Sequence, residues 1–192
     1  MTTWWWVRHG PTHAKGLVGW TDRPADLGDT VAITRLHDFL PSKAVVVSSD
    51  LIRCIHTADA LQGSRARLPH APSIRELNFG DWEDRTFAEV SQTDPEISRA
   101  YWSTPGDIRP PNGESWNETG ARVADFVDQM NKSHQGQNII AVAHFGVILT
   151  QVQRASHISA KSALAFKIDN LSVTRIEFLD PHWRIHMVNH LP

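Results

Sequence analysis

Apolar residues along this chain fall into two rhythms. Unbroken runs rich in β-forming residues occur at 4–7 (WWWV), 44–47 (AVVV) and 139–142 (IIAV). A strand with no polar alternation buries side chains on both faces, as strands inside a parallel sheet do. Two later stretches alternate instead. In 173–178 (VTRIEF), Val173, Arg175 and Glu177 oppose Thr174, Ile176 and Phe178, the pattern of a half-exposed strand near a sheet edge. The stretch 183–189 (WRIHMVN) alternates too and is its candidate partner.

Helical spacing fills the gaps. Residues 29–40 bring Val31, Leu36, Phe39 and Leu40 to one side, and Pro41 stops the helix. Asp50 is the expected N-cap of a helix reaching Leu61, with Leu51, Ile55, Ala58 and Leu61 on one face. Residues 115–131 carry Val123, Phe126, Val127 and Met130, and Glu118 follows Ser115 at capping-box spacing. Gly146 opens a further helix over 147–155. Strands alternating with such helices predict an α/β fold around a mostly parallel sheet, as one domain spanning 1–192. Ligands of these sheets bind beyond the carboxyl ends of the strands.

Four polar stretches stand at such positions. In VRHGPT (7–12) a strand runs out at Arg8-His9 and Gly10-Pro11 turns the chain. In VVVSSDLIRCIHTADAL (45–61) Arg53 lies in the first turn of the following helix, on the crevice side. In AVAHFGVIL (141–149) a strand delivers His144, and the next helix offers its free N–H groups and positive dipole end to a phosphate oxygen. The fourth, SIRELNFGDWEDRT (73–86), supplies Glu76 as candidate carboxylate, with Glu83 as runner-up. Singly, each residue is as readily a surface side chain. Together they suit phosphoryl transfer through a phosphohistidine. A neutral imidazole attacks phosphorus, guanidinium groups stabilise the equatorial oxygens, and a carboxyl group shuttles the proton. The arginines neutralise the phosphate, so no metal or cofactor is expected.

Composition narrows the setting more than the chemistry. The 192 residues are 41% hydrophobic and 21% charged, with a net charge of −2. No global basic field points to a nucleic acid. No stretch approaches the ~20 apolar residues of a membrane span, and the short N-terminal apolar run closed by Arg8 is not a signal peptide. With Cys54 as the single cysteine, a reducing, cytoplasmic setting is expected. His182, His186 and His190 invite a metal site, but on a strand neighbours four apart lie ~13 Å from each other and cannot share one ion. Cys54 reads as a small packing residue, and Trp20, Trp102 and Trp116 as candidates for lining a substrate mouth.

The motifs RHGPT (8–12), GWTDRPADLGD (19–29), SSDLIRCIHTA (48–58), RELNFGDWE (75–83), PPNGES (110–115), AHFG (143–146) and VNHL (188–191) together resemble the histidine phosphatase superfamily, the phosphoglycerate-mutase-like group. The resemblance implies a three-layer α/β/α sandwich without a cofactor, with an antiparallel edge strand. His9 matches the phosphorylated nucleophile, Arg8 and Arg53 the phosphate-binding arginines, His144 the second histidine and Glu76 the proton donor. Thr12 matches a hydroxyl near the phosphate.

Three positions depart from the family pattern. Lys15 stands where many members have asparagine, Phe145 where glycine is usual, and Asp84 where a glycine is common. Phe145 is expected to narrow the mouth, and Lys15 either contacts substrate or points into solvent. PPNGES is similar to a run in the small phosphatases, so Glu114 and Ser115 either reach substrate or serve as a helix cap. Lys15, Trp20, Glu83, Glu114, Ser115 and Phe145 are therefore the substrate-binding candidates. The expected activity is hydrolysis of a small phosphorylated metabolite. The alternatives are a phosphomutase on the same site and a non-catalytic module that binds a phosphorylated ligand. Oligomeric state is open.

Overall fold

The computed structural model describes all 192 residues. Strand β1 (Thr2–Arg8) is followed by helix α1 (Thr30–Phe39), β2 (Val45–Ser48), α2 (Ile52–Gln62) and the short β3 (Ala66–Arg67). Helices α3 (Phe87–Thr93), α4 (Pro95–Ser103) and α5 (Trp116–Ser133) come next. The chain closes with β4 (Asn138–Ala143), α6 (Phe145–Ser156), α7 (Ala160–Ala163), β5 (Val173–Phe178) and β6 (Trp183–His190). The strands form one sheet in the order β3-β2-β4-β1-β5-β6. The first four run parallel, while β5 and β6 are antiparallel additions at one side.

The triple tryptophan explains how three layers hold together. Side chains alternate across β1, so Trp4 and Trp6 enter a core shared with Val123 and Val127 of α5 and Val147 and Leu149 of α6. Trp5 and Val7 enter the opposite core, with Leu36 of α1 and Ala58 and Leu61 of α2. Trp4 and Trp6 are fully buried and stack at 4.9 Å between ring centroids. An indole of this kind removes roughly 150–250 Å² from water, worth about 4–6 kcal/mol before ordering costs. The unbroken apolar run is thus a strand with helices on both sides.

Several expectations change. Strand β5 is not half-exposed: it lies between β1 and β6, so Thr174 and Glu177 are buried along with Val173 and Ile176. Val31 stays in water at 59% exposure, leaving Leu36 and Leu40 to anchor α1. Asp50 does not cap α2. The cap residue is Leu51, and the Asp50 carboxylate instead takes a bidentate pair of hydrogen bonds from Arg75 at 2.7 and 2.6 Å. The capping box of α5 forms as its spacing implied, with Ser115 and Glu118 closing each other's free backbone N–H groups.

Candidate active site

His9 leaves the carboxyl end of β1, and three neighbours fix it there. The Gly10 N–H donates to Thr57 Oγ1 at 3.0 Å, Asn170 Nδ2 donates to the His9 carbonyl at 2.8 Å, and His9 Nδ1 lies 2.6 Å from the Gly10 carbonyl oxygen. A carbonyl can only accept, so Nδ1 carries the ring proton and Nε2 keeps its lone pair. Arg53 Nε donates to that lone pair at 3.3 Å. Burial, reinforced by the Arg53 and Arg8 charges, lowers the His9 pKa to about 3. The imidazole is therefore neutral at physiological pH, with its free nitrogen beside a permanent cation.

The two arginines are held by carbonyls, with no carboxylate in direct contact with either. Arg53, second in α2 and 1% exposed, donates to the carbonyls of Thr21 (2.9 Å) and Gly19 (2.6 Å). Arg8, the last residue of β1, donates through Nη1 to Ile168 O at 2.5 Å, and its guanidinium sits 5.6 Å from the centroid of the Phe145 ring. Its Nε is buried with no acceptor in the protein. An unpaired donor in a desolvated cationic site favours an anion.

His144 caps α6, is fully buried, and packs edge-on against His9 with ring centroids 5.1 Å apart. Burial, then the Arg53 charge, holds it well below the usual imidazole range. Behind it, the Cys54 Sγ lies 3.3 Å from His144 Nε2 and 3.5 Å from the Ala143 carbonyl. Burial pushes the Cys54 thiol up, so the sulfur stays protonated and packs as a small apolar group.

Glu76 completes the ring of charge. Its carboxyl accepts from the Leu77 N–H at 3.1 Å and the Gly146 N–H at 3.0 Å, so the first turn of α6 receives this carboxyl rather than standing open. The approach requires glycine: a Cβ on Gly146 would stand 1.9 Å from Leu77 Cδ1 and 2.7 Å from Glu76 Oε1. Burial raises the Glu76 pKa above its ordinary value, opposed by Arg53, these backbone N–H groups and Arg8. A cavity of about 490 Å³ is lined by Arg8, His9, Thr12, Arg53, Glu76 and Phe145 among others. A larger groove of about 700 Å³ along α5 and α6 contains none of these groups.

Five of the substrate-binding candidates lie off the cavity wall. Lys15 points to solvent, with only its neighbours Ala14 and Gly16 on the wall. Glu83 accepts from the backbone N–H groups of Trp20 (2.7 Å) and Phe79 (3.3 Å) and from the Thr21 hydroxyl (2.8 Å), tying two loops together. Trp20 donates its indole N–H to the Glu76 carbonyl at 2.7 Å and lies under the Arg75 guanidinium. Glu114 pairs with Arg122 at 2.8 Å, and Ser115 is buried as the α5 cap. Phe145 does line the cavity, and so does Trp102, whereas Trp116 is buried against Gln153. His186 and His190 lie along β6, and His186 faces Glu177 at 3.2 Å.

Three supporting residues have roles that the sequence does not assign, although Thr57 falls within the 48–58 motif. Arg122, from the middle of α5, donates to the carbonyls of Ser73 (2.9 Å), Arg75 (3.0 Å) and Glu76 (3.2 Å), and so pins the loop that carries Glu76. Thr57 and Asn170 hold the backbone on either side of His9. Each lies more than 40 residues from what it positions, beyond the reach of any local motif.

Known proteins resemble this chain over most of its length. The adenosylcobalamin/alpha-ribazole phosphatase of Escherichia coli is 31% identical over 172 residues, covering 86% of this chain and 84% of that protein. The metal-independent phosphoserine phosphatase of Arabidopsis thaliana is 28% identical over 188 residues, covering 93% and 77%. The crystal structure of the alpha-ribazole phosphatase from Shigella flexneri superposes with a TM-score of 0.84 at 28% identity, over 98% of this chain and 96% of that one. The family model of the histidine phosphatase superfamily (branch 1) matches residues 4–191, and this chain belongs to that superfamily.

Proposed function

We propose that the protein is a phosphomonoesterase that hydrolyses a small phosphorylated metabolite through a phosphohistidine on His9. The phosphate dianion sits between Arg8 and Arg53 in the 490 Å³ cavity, with His144 beside it. His9 Nε2 attacks phosphorus in line, and the P–O bond to the leaving group breaks as Glu76 gives its proton to that oxygen. The new P–N bond puts positive charge on the imidazole, which the Gly10 carbonyl stabilises through Nδ1–H. Water then attacks phosphorus, Glu76 as carboxylate takes the water's proton, and the P–N bond breaks to return neutral His9. Fixed cations around the equatorial oxygens stabilise charge without reorganising at the moment of reaction.

One observation carries this reading above the others. The Gly10 carbonyl fixes the His9 tautomer so that the unprotonated nitrogen is the one beside Arg53. A module that only bound phosphate would gain from a protonated imidazole, whereas a nucleophile requires a neutral one. The single buried thiol supports a reducing, cytoplasmic setting, and the net charge of −2 supports a small-molecule rather than a nucleic-acid partner. No helix is long and apolar enough to cross a membrane. The test is phosphate release from a panel of phosphomonoesters with chelator present, together with acid-labile, base-stable labelling of the enzyme. Both signals vanish in a folded His9→Ala protein if the reading holds. Release that survives in that variant would sink the nucleophile assignment.

A further inference from the structure

The phosphate end of the cavity holds all of its charge. Arg8, Arg53, Glu76 and His9 are the ionisable side chains on the wall, and Thr12 is the one other polar side chain. Beyond them the wall is Val18, Phe79, Phe87, Trp102, Phe145 and Leu164. The aromatic members form a connected surface. Trp102 lies 6.2 Å from Phe79 with ring planes 39° apart and 5.4 Å from Phe87 at 63°, and Tyr101 backs it edge-on at 4.9 Å.

One feature of this wall stands unbalanced. Phe87 leaves 55% of its surface in water, although it is a large aromatic at a cavity rim. Exposed apolar surface costs free energy that a bound group can recover. No cation stands in this half of the cavity to receive a carboxylate, because Lys15 is exposed and off the wall. An anionic leaving group would be desolvated there without a partner.

We infer that the substrate's leaving group carries an uncharged aromatic ring that packs on the Phe87–Trp102–Phe79 wall, and that esters bearing a carboxylate, such as phosphoserine and 3-phosphoglycerate, are poor substrates. This selectivity rests on the phosphomonoesterase reading of the same cavity, but binding tests it independently of turnover. A ring buried on such a wall gains offset or edge-on contacts as well as area. Phe145, whose ring centroid lies 5.6 Å from the Arg8 guanidinium carbon, joins this wall to the phosphate end.

The experiment uses non-hydrolysable phosphonates measured by calorimetry on the intact protein. 2-Phenylethylphosphonate should bind roughly 10–100-fold more tightly than ethylphosphonate, and more tightly than 2-amino-4-phosphonobutanoate. Phe87→Ala, a change at an exposed rim position, should cut the phenylethyl-to-ethyl ratio by about fivefold, and Trp102→Leu should cut it further. In parallel, kcat/KM for 2-phenylethyl phosphate should exceed that for phosphoserine. Equal affinities for the phenylethyl and ethyl compounds, or tighter binding of the carboxylate-bearing one, would overturn the inference whether or not the protein turns over. Selective aryl binding without phosphate release from any ester would support the subsite and count against the phosphatase reading alone.

Discussion

The Nε of Arg53 donates to Nε2 of His9 at 3.3 Å, so the nitrogen proposed to attack phosphorus is held by a group that also repels a proton from it. One contact both aims the ring and keeps a proton off its lone pair, which the arriving phosphate frees by drawing the Arg53 hydrogen bond to its own oxygens. Its consequences can be measured.

His9 should not titrate in the physiological range. With its pKa near 3, the free protein should show imidazole resonances of His9 that stay constant from pH 5 to 8. An NMR titration on ring-labelled protein checks this, with His9→Gln identifying the signal. Arg53→Ala should let those resonances begin to move at higher pH and should lower kcat/KM by roughly 10²–10³, the cost of one preorganised donor. A midpoint near 6.5 in the unmodified protein would contradict the depression by burial and the Arg53 charge.

The buried histidines also tie stability to pH. In the unfolded chain His9 accepts a proton near its ordinary 6.5, but in the folded protein only near 3. Its depressed pKa means the stability is fully present above about 6.5 and is lost as pH falls toward about 3. For His9 alone the loss reaches about 2 kcal/mol by pH 5. His144 shifts in the same direction and adds to it. Urea unfolding at pH 7.5 and 5.0 reads the difference, and a folded His9→Asn variant should show a shallower dependence.

Glu76→Gln should separate esters by their leaving groups. Alkyl phosphates need a proton on the departing oxygen, so their kcat should fall by roughly 10²–10⁴. p-Nitrophenyl phosphate leaves without that help and should lose far less in the first step. Because Glu76 also serves the later hydrolysis of phospho-His9, which both esters share, the comparison is made on the single-turnover rate of enzyme phosphorylation. A uniform drop in that rate across both esters would assign Glu76 to binding instead.

Arg122 is proposed as a positioning residue for the same step, because it grips three carbonyls of the Glu76 loop. Arg122→Met should lower kcat for alkyl esters by about tenfold with KM little changed. The loss should again be smaller for p-nitrophenyl phosphate. Arg122→Lys should fail to restore it, since one ammonium cannot span the contacts of a planar guanidinium. Equal losses on both esters in the single-turnover rate of enzyme phosphorylation would mark a merely structural role.

Gly146→Ala places a methyl group where Leu77 and Glu76 already stand. Overpacking of this kind costs about 1–3 kcal/mol. The melting temperature should fall and kcat should drop with it, because Leu77 must yield and Glu76, the group proposed to move the proton, is crowded beside it. An unaltered melting temperature would mean the α6 turn is looser than its geometry implies.

Much of this fold is legible in the sequence. The central strands announce themselves because a strand covered on both faces has no polar alternation, as in Trp4–Val7 and Ile139–Val142. The α5 cap was readable because Ser115 and Glu118 satisfy each other within one turn. Asp50 misled for a related reason. Its position suits a cap, but Arg75, 25 residues away, outcompetes the local backbone for its carboxylate. Short α3 and α4 passed unnoticed because their apolar faces are too brief to establish a period, although Thr86 and Glu89 form a capping box. Glu83 and Glu114 drew attention as free carboxylates, yet both are spent holding loops. A motif locates a residue on a loop; only the tertiary partners decide whether its side chain faces inward to ligand or sideways to scaffold.

The placement of β1 also sets the order in which the protein can acquire its chemistry. The strand that delivers His9 is made first, but its neighbours are β4 and β5, so Thr3 pairs with Asn138 and Trp4 with Ile176. Contacts separated by so much chain must meet a large loop-closure entropy before they return any energy. During synthesis the three tryptophans therefore wait unpaired while the chain between β1 and β4 emerges. The nucleophile is thus the earliest part of the site to be translated and among the last to be put in place.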